Sequence, residues 1–417
     1  MFSHPKIWTF IFALLFTLTG DEGFCQVNQN EKEKEKKEEK SNMQNAAGNS
    51  NPVMNNSIQE NNVVLPAINE PSRTAQSNVF YNKQSNAYKS AVEFNQLDAK
   101  AWLGYYESER YSFYTKTSND INAENQEKLN EIISEMGKYV PNSFEYNYAK
   151  YLNGNHDVNL FGFLARAYEL NPKASELYDQ FIAYYELTGN ASKKSEWCKK
   201  LNESGEFSKE VMEFSYNLLA GLPSNAVLIT HGEMDTYPTF IWQTVKKFRP
   251  DVLVLYIDLL EKSDYRIKKS QELGFSSSID PVSNKPSFVQ DICQKISPKR
   301  PVYLATTLAP ELLKPIKEQL FNTGLAFRYA PGGIDNLADL ETNWERNFKT
   351  EELRKKISPG TIASKINMNY VPGLLLLSES LKQKGMSDKA KLAEELALKI
   401  AAEGGKEQQV RTLLNKK

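Results

Sequence analysis

The chain has 417 residues, enough for two or three domains with a sizeable core. Lys plus Arg total 51 against 52 Asp plus Glu, a net charge of −1, so no global basic bias points to nucleic acid or to an anionic membrane surface. The 21 Tyr and 21 Phe suit helix packing and binding surfaces, and 3 Cys leave little for a disulfide-built fold.

The N-terminus reads as a secretory signal over residues 1–25. Lys6 supplies positive charge, and Ile7–Leu18 is an apolar run too short to span a bilayer comfortably. Gly23-Phe24-Cys25 places small residues where a signal peptidase reads, with cleavage before Gln26. The alternative is a lipoprotein with Cys25 lipidated; Phe24 and Glu22 are a poor context for it and favour removal. Either way the expectation is an exported, periplasmic protein, with any tie to the outer membrane made through a partner or a lipidated Cys25. The mature chain has no run long enough for a transmembrane helix. Cys198 and Cys293 then remain and read as buried free thiols in different domains. With no CxxC and no His/Cys ligand spacing, no metal site is expected.

Residues 26–77 are low in complexity, with the charge run Glu31–Lys40 followed by Asn, Ser and Gln. They lack the apolar periodicity that offsets ordering entropy and read as a disordered linker.

Residues 78–222 read as tetratricopeptide-like helical repeats. Tyr88, Val92, Trp102, Tyr105 and Tyr106 fall at helical spacings, as do Leu177, Phe181, Tyr184 and Tyr185. Segments opening at Pro141-Asn142 and Asn171-Pro172 each reach a glycine turn, at Gly154 and Gly189, and Trp102-Leu103-Gly104-Tyr105 resembles the first helix of such a repeat. Three helix pairs are expected.

Residues 223–332 read as a small Rossmann-like α/β domain. Strands are predicted over Ala226–Thr230, Val252–Ile257, Val302–Thr306 and Leu325–Tyr329, and helices near Thr239–Lys247, Asp264–Leu273, Pro286–Ile296 and Ala309–Phe321. Alternating strands and helices imply a parallel sheet with right-handed crossovers. Residues 333–417 return to tetratricopeptide-like helices. Tyr370, Leu374, Leu377 and Leu381 form one apolar face, Gly385 a stop, Ser387 a cap, and Ala393, Leu396, Ala397 and Ile400 the next face; Glu407–Leu414 closes the stack.

The stretch Gly232-Glu233-Met234-Asp235-Thr236-Tyr237-Pro238, followed by Arg249-Pro250-Asp251-Val252, carries a resemblance. It is similar to the soluble C-terminal region of a family of polytopic membrane glycosyltransferases of Bacteroidota, related to the animal transmembrane O-mannosyltransferase. The match continues weakly through Gly324–Tyr329 and Trp344–Phe348. The family pattern has acidic or amide residues where Glu233 and Met234 stand. In that family sugar transfer belongs to the membrane part, which this sequence lacks, so the resemblance implies a shared module with helical repeats and not a transferase.

The loop His231–Pro238 leaves the carboxyl end of the first strand, where open α/β sheets keep their ligands. The candidate binding residues are His231, Gly232, Glu233, Asp235, Thr236, Tyr237 and Asp258. His231, Glu233 and Asp235 have the chemistry to bind a cation or sugar hydroxyls, or to act as acid and base. Against this, Asp235 or Thr236 reads as the cap of a helix starting near Tyr237-Pro238. No GxGxxG or GxxxxGK[ST] accompanies Gly232, so no phosphate cradle, nucleotide or other cofactor is expected. Ser276-Ser277-Ser278 lacks the context of a nucleophile elbow. On the repeats, Tyr105, Tyr106, Tyr184 and Tyr185 are candidate contacts, with one ring of each adjacent pair turned away from the core. The sequence thus points to a non-catalytic scaffold or adaptor for cell-envelope proteins, in an outer-membrane, secretion or surface-glycan assembly. The alternative is a carbohydrate-binding or glycan-processing accessory that uses the 231–238 loop.

Overall fold

The computed structural model describes residues 65–71, 73–74, 76–115, 123–275 and 285–415. The signal, Cys25, most of the linker and Ser276–Ser278 lie outside the described residues.

Residues 76–140, with 66–71, form one contact unit. Its helices are α1 (Asn78–Phe94), α2 (Ala99–Tyr114) and α3 (Ala123–Tyr139). Ser77 and Asp98 start the first two by accepting a backbone N–H three residues on. Helices α1 and α2 pack side by side, with Tyr81, Tyr88 and Val92 buried on α1. Gly104 is what lets them close: a Cβ there would stand 2.3 Å from the Tyr88 ring. Helix α2 is buried on nearly every side, Tyr106 through Phe113 without a break. Its polar groups are therefore paired internally: Ser85 and Lys128 both engage Glu109, and Arg110 donates to the hydroxyls of Tyr106 and Tyr114.

Residues 141–417, with Arg73, form the second unit. It begins with α4 (Phe144–Asn153), α5 (Phe161–Leu170), α6 (Tyr178–Thr188), α7 (Ala191–Ser204) and α8 (Lys209–Ala220). Helix α4 pairs with α5 and α6 with α7. Gly189, at φ 77°, ends α6 in the left-handed conformation that a Cβ disfavours, and Asn190 then caps α7. Among the described residues before the first strand, α1 with α2, α4 with α5 and α6 with α7 pack as neighbours in sequence.

The sheet has five strands: β1 (Val227–Thr230), β2 (Leu253–Tyr256), β3 (Val302–Ala305), β4 (Leu320–Asn322) and β5 (Ala326–Tyr329), in the order β2-β1-β3-β5-β4. Helices α9 (Glu233–Thr244), α10 (Ser263–Glu272), α11 (Lys285–Ile296) and α12 (Pro310–Leu313) connect the first four. β1 pairs with β2 and β3 in parallel, Leu228 facing Val254 on one side and Tyr303 on the other. The expectation of an all-parallel sheet is corrected: β5 runs antiparallel to both β3 and β4. The helix expected over Ala309–Phe321 is also corrected. Pro315 has no N–H to continue it, so α12 stops after four residues and a 3₁₀ stretch, Lys314–Gln319, leads into β4. Thr323 N–H donates to the Ala326 carbonyl (2.9 Å) and closes a tight turn, which joins only antiparallel strands.

The remaining helices are α13 (Leu337–Thr342), α14 (Glu351–Arg354), α15 (Ile362–Asn367), α16 (Val371–Gln383), α17 (Ser387–Glu403) and α18 (Glu407–Asn415). Helices α16 and α17 pair through Leu374, Leu377 and Leu381 on one and Ala393, Ala397 and Ile400 on the other. The cap of α17 is Met386 and not Ser387, and Leu396 is only half-buried. Among the described residues the chain is mostly helical around one small mixed sheet, and no helix is long and apolar enough to cross a membrane.

Candidate functional site

β1 lies between two parallel neighbours, and the chain turns to opposite sides of it to form β2 and β3. The loops leaving β1 and β3 therefore flank the crevice where open α/β sheets bind ligands. Helix α9 begins at Glu233, three residues after the end of β1, with Gly232 at its N-cap (φ 84°). The space a Cβ would take at Gly232 is open, so the positive φ, not crowding, calls for glycine. This corrects the expected start near Tyr237-Pro238: Pro238 is inside the helix and Asp235 is in its first turn. Asp235 is not the N-cap either; from the first turn it reaches back to the loop before the helix. Its Oδ2 accepts the His231 N–H at 3.2 Å, the geometry of a carboxylate at the third helical position satisfying a backbone donor upstream.

The same Oδ2 accepts from the hydroxyl of Thr307, in the loop after β3. Thr236 completes the set, its Oγ1 lying 2.9 Å from the Thr230 hydroxyl and 3.2 Å from Asp235 Oδ1. Asp235, Thr236 and Tyr237 are all essentially buried. Burial pushes the Asp235 carboxyl up to about 6, against the hydrogen bonds from Thr307 and the His231 amide. The crevice between β1 and β3 is thus bridged by side chains that bond one another. Tyr237 packs edge-on against Tyr256, centroids 6.0 Å apart, and belongs to the core.

His231 and Asp258 are brought together differently. His231 Nε2 is 3.6 Å from Asp258 Oδ1, and both side chains are about a quarter to a third exposed, at 26% and 30%. The buried Tyr256 hydroxyl shares a hydrogen bond with Asp258; burial first, and then the Asp258 charge, hold that phenol well above its ordinary range.

Glu233 turns to a third set of partners. Its Oε2 meets Arg73 Nε at 3.0 Å, while Arg73 Nη1 meets Glu206 at 2.9 Å and Nη2 meets Asp179. One guanidinium thus holds three carboxylates. Burial pushes the Asp179 carboxyl upward, Glu233 and Glu206 adding to this and Arg73 opposing it. A cleft of about 470 Å³ opens beside this cluster, with Arg73, Glu206, Ser208, Met234, Lys356 and Thr361 in its lining. No local pattern signals this grouping, because Arg73 is separated from Asp179, Glu206 and Glu233 by 106, 133 and 160 positions. Thr307 was equally hidden, one threonine after an apolar strand.

The segment Arg249-Pro250-Asp251 that enters β2 is a clamp. Arg249 donates to the carbonyls of Leu219, Leu222 and Pro223, and its Nε and Nη2 bind the two Asp251 oxygens at 2.9 Å each. Asp251 also accepts the Asn225 N–H.

On the helices, Tyr106 is fully buried and unavailable as a surface contact, while Tyr105 is half-buried, so the first pair divides as expected. Tyr184 and Tyr185 are both half-buried. Phe161 explains this, stacking on Tyr184 with centroids 4.0 Å apart and meeting Tyr185 edge-on at 6.1 Å. The two cysteines are buried free thiols, and burial pushes Cys198 up to about 11. Among the described residues no group of three or more His, Cys, Asp or Glu is placed to hold a metal ion.

No curated protein matches the chain. Residues 211–288, from α8 through β1, α9, β2 and α10 to the start of α11, match the family model described as TMEM260-associated domain 2, in agreement with the resemblance carried by the 232–238 and 249–252 segments.

Proposed function

We propose that the chain is an exported, non-catalytic scaffold or adaptor that binds other cell-envelope proteins, as a subunit of an outer-membrane, secretion or surface-glycan assembly. The observation that carries this reading is the bridge across the β1–β3 crevice. Asp235, Thr307, Thr236 and Thr230 are spent on one another, so the acid best placed for chemistry serves the fold. The paired helices present half-buried aromatic rims, Phe161 with Tyr184 and Tyr185, of the kind that hold protein partners. The finer reading of these helices as tetratricopeptide-like and of the sheet as Rossmann-like belongs to the same proposal. The reading of residues 1–25 as an export signal supports a periplasmic location, and the family match to a TMEM260-associated domain supports a link to surface glycans.

The test is purification of the tagged chain from its native envelope, with mass spectrometry of what accompanies it. Tyr184→Ala is expected to lose the partner, and Asp235→Asn to keep it. If Tyr184→Ala leaves the complex intact while Asp235→Asn abolishes a measurable turnover, the scaffold reading is wrong.

A second reading, a carbohydrate-binding or glycan-processing accessory, draws support from the partly exposed His231–Asp258 pair beside the open Gly232. Glycan titration of the wild type against His231→Gln with Asp258→Asn separates the two.

A further inference from the structure

The Arg73 cluster has the form of an occupied receptor. A buried structural ion pair is normally balanced, because unpaired charge in a low-dielectric site is costly. Here three carboxylates share one guanidinium, with Asp179 and Glu233 at the buried side and Glu206 at the exposed edge, and each takes a different nitrogen: Glu233 on Nε, Glu206 on Nη1, Asp179 on Nη2. That division matches the planar fork of arginine and not the point charge of lysine.

A second observation lies behind the cluster. Asp179 is 1% exposed, and its Oδ1 is buried with no hydrogen-bond partner. The Tyr151 hydroxyl is likewise buried and unpartnered, and close enough for the Asp179 charge to act on it. Arg73 therefore leaves the deepest acceptor of the site unsatisfied. A buried acceptor without a partner is costly, so this occupant does not complete the site.

The occupant also comes from outside the regular elements. No helix or strand lies among the described residues from 65 to 77, so Arg73 is carried by irregular chain. The cleft of about 470 Å³ opens directly on Arg73 and Glu206, with apolar Val211, Met234 and Ile357 further along its wall. It leaves room for a second arginine and its neighbouring residues to approach as Arg73 leaves.

We propose that Asp179, Glu206 and Glu233 form a receptor for an arginine side chain presented by a partner protein, with Arg73 filling it in cis until that arginine displaces it. This deepens the scaffold reading by naming where and by what chemistry a partner is held. It depends on that reading only for the bearer of the arginine, since the receptor itself is tested with a small molecule.

The experiment uses the full chain and N-acetyl-arginine methylamide as probe, with the lysine analogue as control, titrated by calorimetry. Because a tethered arginine competes at high effective concentration, the wild type is expected to bind weakly. Arg73→Ala is expected to bind the arginine probe at least tenfold more tightly than the wild type and to prefer it over the lysine probe. Adding Glu206→Gln and Glu233→Gln to Arg73→Ala is expected to remove that gain. Equal binding by Arg73→Ala and the wild type, or gain that survives loss of both glutamates, overturns the proposal. Should Arg73→Ala not fold, hydrogen exchange of the Arg73 and Thr74 amides in the wild type decides. Exchange that quickens on adding the arginine probe supports displacement, and exchange unchanged at saturating probe refutes it. A partner lost on Tyr184→Ala but indifferent to these changes would leave the scaffold reading standing and sink the receptor.

Discussion

Replacing Asp235 by Asn separates its two parts, the hydrogen-bonded bridge and the buried charge. An asparagine in the same pose keeps the bridge. Its carbonyl oxygen, placed where Oδ2 stands, accepts from the His231 N–H and the Thr307 hydroxyl, and its amide donates to Thr236 Oγ1, which in turn donates to Thr230. What is lost is the charge. The carboxyl is held at about 6 against an ordinary 3.8, mainly by burial, and that difference corresponds to about 3 kcal/mol. Because the folded value lies above the unfolded one, the native state takes up the proton first. The stabilising contribution of the neutral acid is full below about 3.8 and is lost as pH rises through about 6. Urea unfolding at pH 4, 5, 6 and 7.5 should therefore find Asp235→Asn level with the wild type at pH 4 and more stable by up to about 3 kcal/mol at pH 7.5. His231 faces this carboxyl, so the series is repeated with His231→Gln in both chains. A gap that does not change with pH, or a variant that is less stable throughout, refutes the assignment of Asp235 as a buried bridge that carries a charge penalty.

Gly104→Ala should destabilise the chain by about 1–3 kcal/mol despite a helix-propensity gain of about 1 kcal/mol, because the new Cβ meets the Tyr88 ring; a rise in Tm would show that α1 and α2 do not approach so closely. Arg249→Lys keeps the charge but cannot reach the Leu219, Leu222 and Pro223 carbonyls and both Asp251 oxygens at once, so urea unfolding should show a loss of about 2–3 kcal/mol, more than a surface lysine exchange produces. Glu213 accepts the Glu352 and Leu353 N–H groups at the start of α14, and Glu213→Ala should cost about 1 kcal/mol and speed hydrogen exchange at those two amides specifically; unchanged exchange there would show that the contact is not a cap.

The strand–helix–strand unit from β1 to β2 was legible because two apolar runs, Val227–Ile229 and Leu253–Leu255, flank a polar turn and an amphipathic stretch, and these patterns respond to burial alone. The helix boundary was not legible, because Pro238 is favoured in a first turn yet sits inside α9, and the true start depends on Asp235 finding a donor four residues earlier. Strand direction failed for a related reason. Leu325–Tyr329 has the composition of a strand in either sense, and only its partner β4 decides the sense. That partner was hidden in an apparent helix that Pro315 breaks, a local cue that the periodicity of Leu312, Leu313 and Ile316 outweighed. The Arg73 cluster assembles groups more than a hundred residues apart, which no local pattern encodes.

The segment within the match to the TMEM260-associated domain 2 model divides by what its residues do. Positions that keep the pattern are structural: Gly232 takes the positive φ that opens α9, Asp235 bridges two loops, Tyr237 is core, and Arg249 and Asp251 clamp the entry to β2. The two positions that depart from it, Glu233 and Met234, are the two that leave this internal network. Glu233 binds Arg73, and Met234 lines the cleft beside it. A module shared for its fold would keep the first set under packing constraint and leave the second free to change with the partner. Reverting the departures tests this division. Glu233→Asp with Met234→Asn should leave stability within about 0.5 kcal/mol, the range of changes outside packed features, if these positions serve recognition. The same pair should weaken capture of the arginine probe by Arg73→Ala, because a shorter carboxylate at 233 no longer reaches the Nε position that Glu233 now holds at 3.0 Å. A large loss of stability would instead make Glu233 part of the scaffold, and the contrast between the two sets of residues would fall.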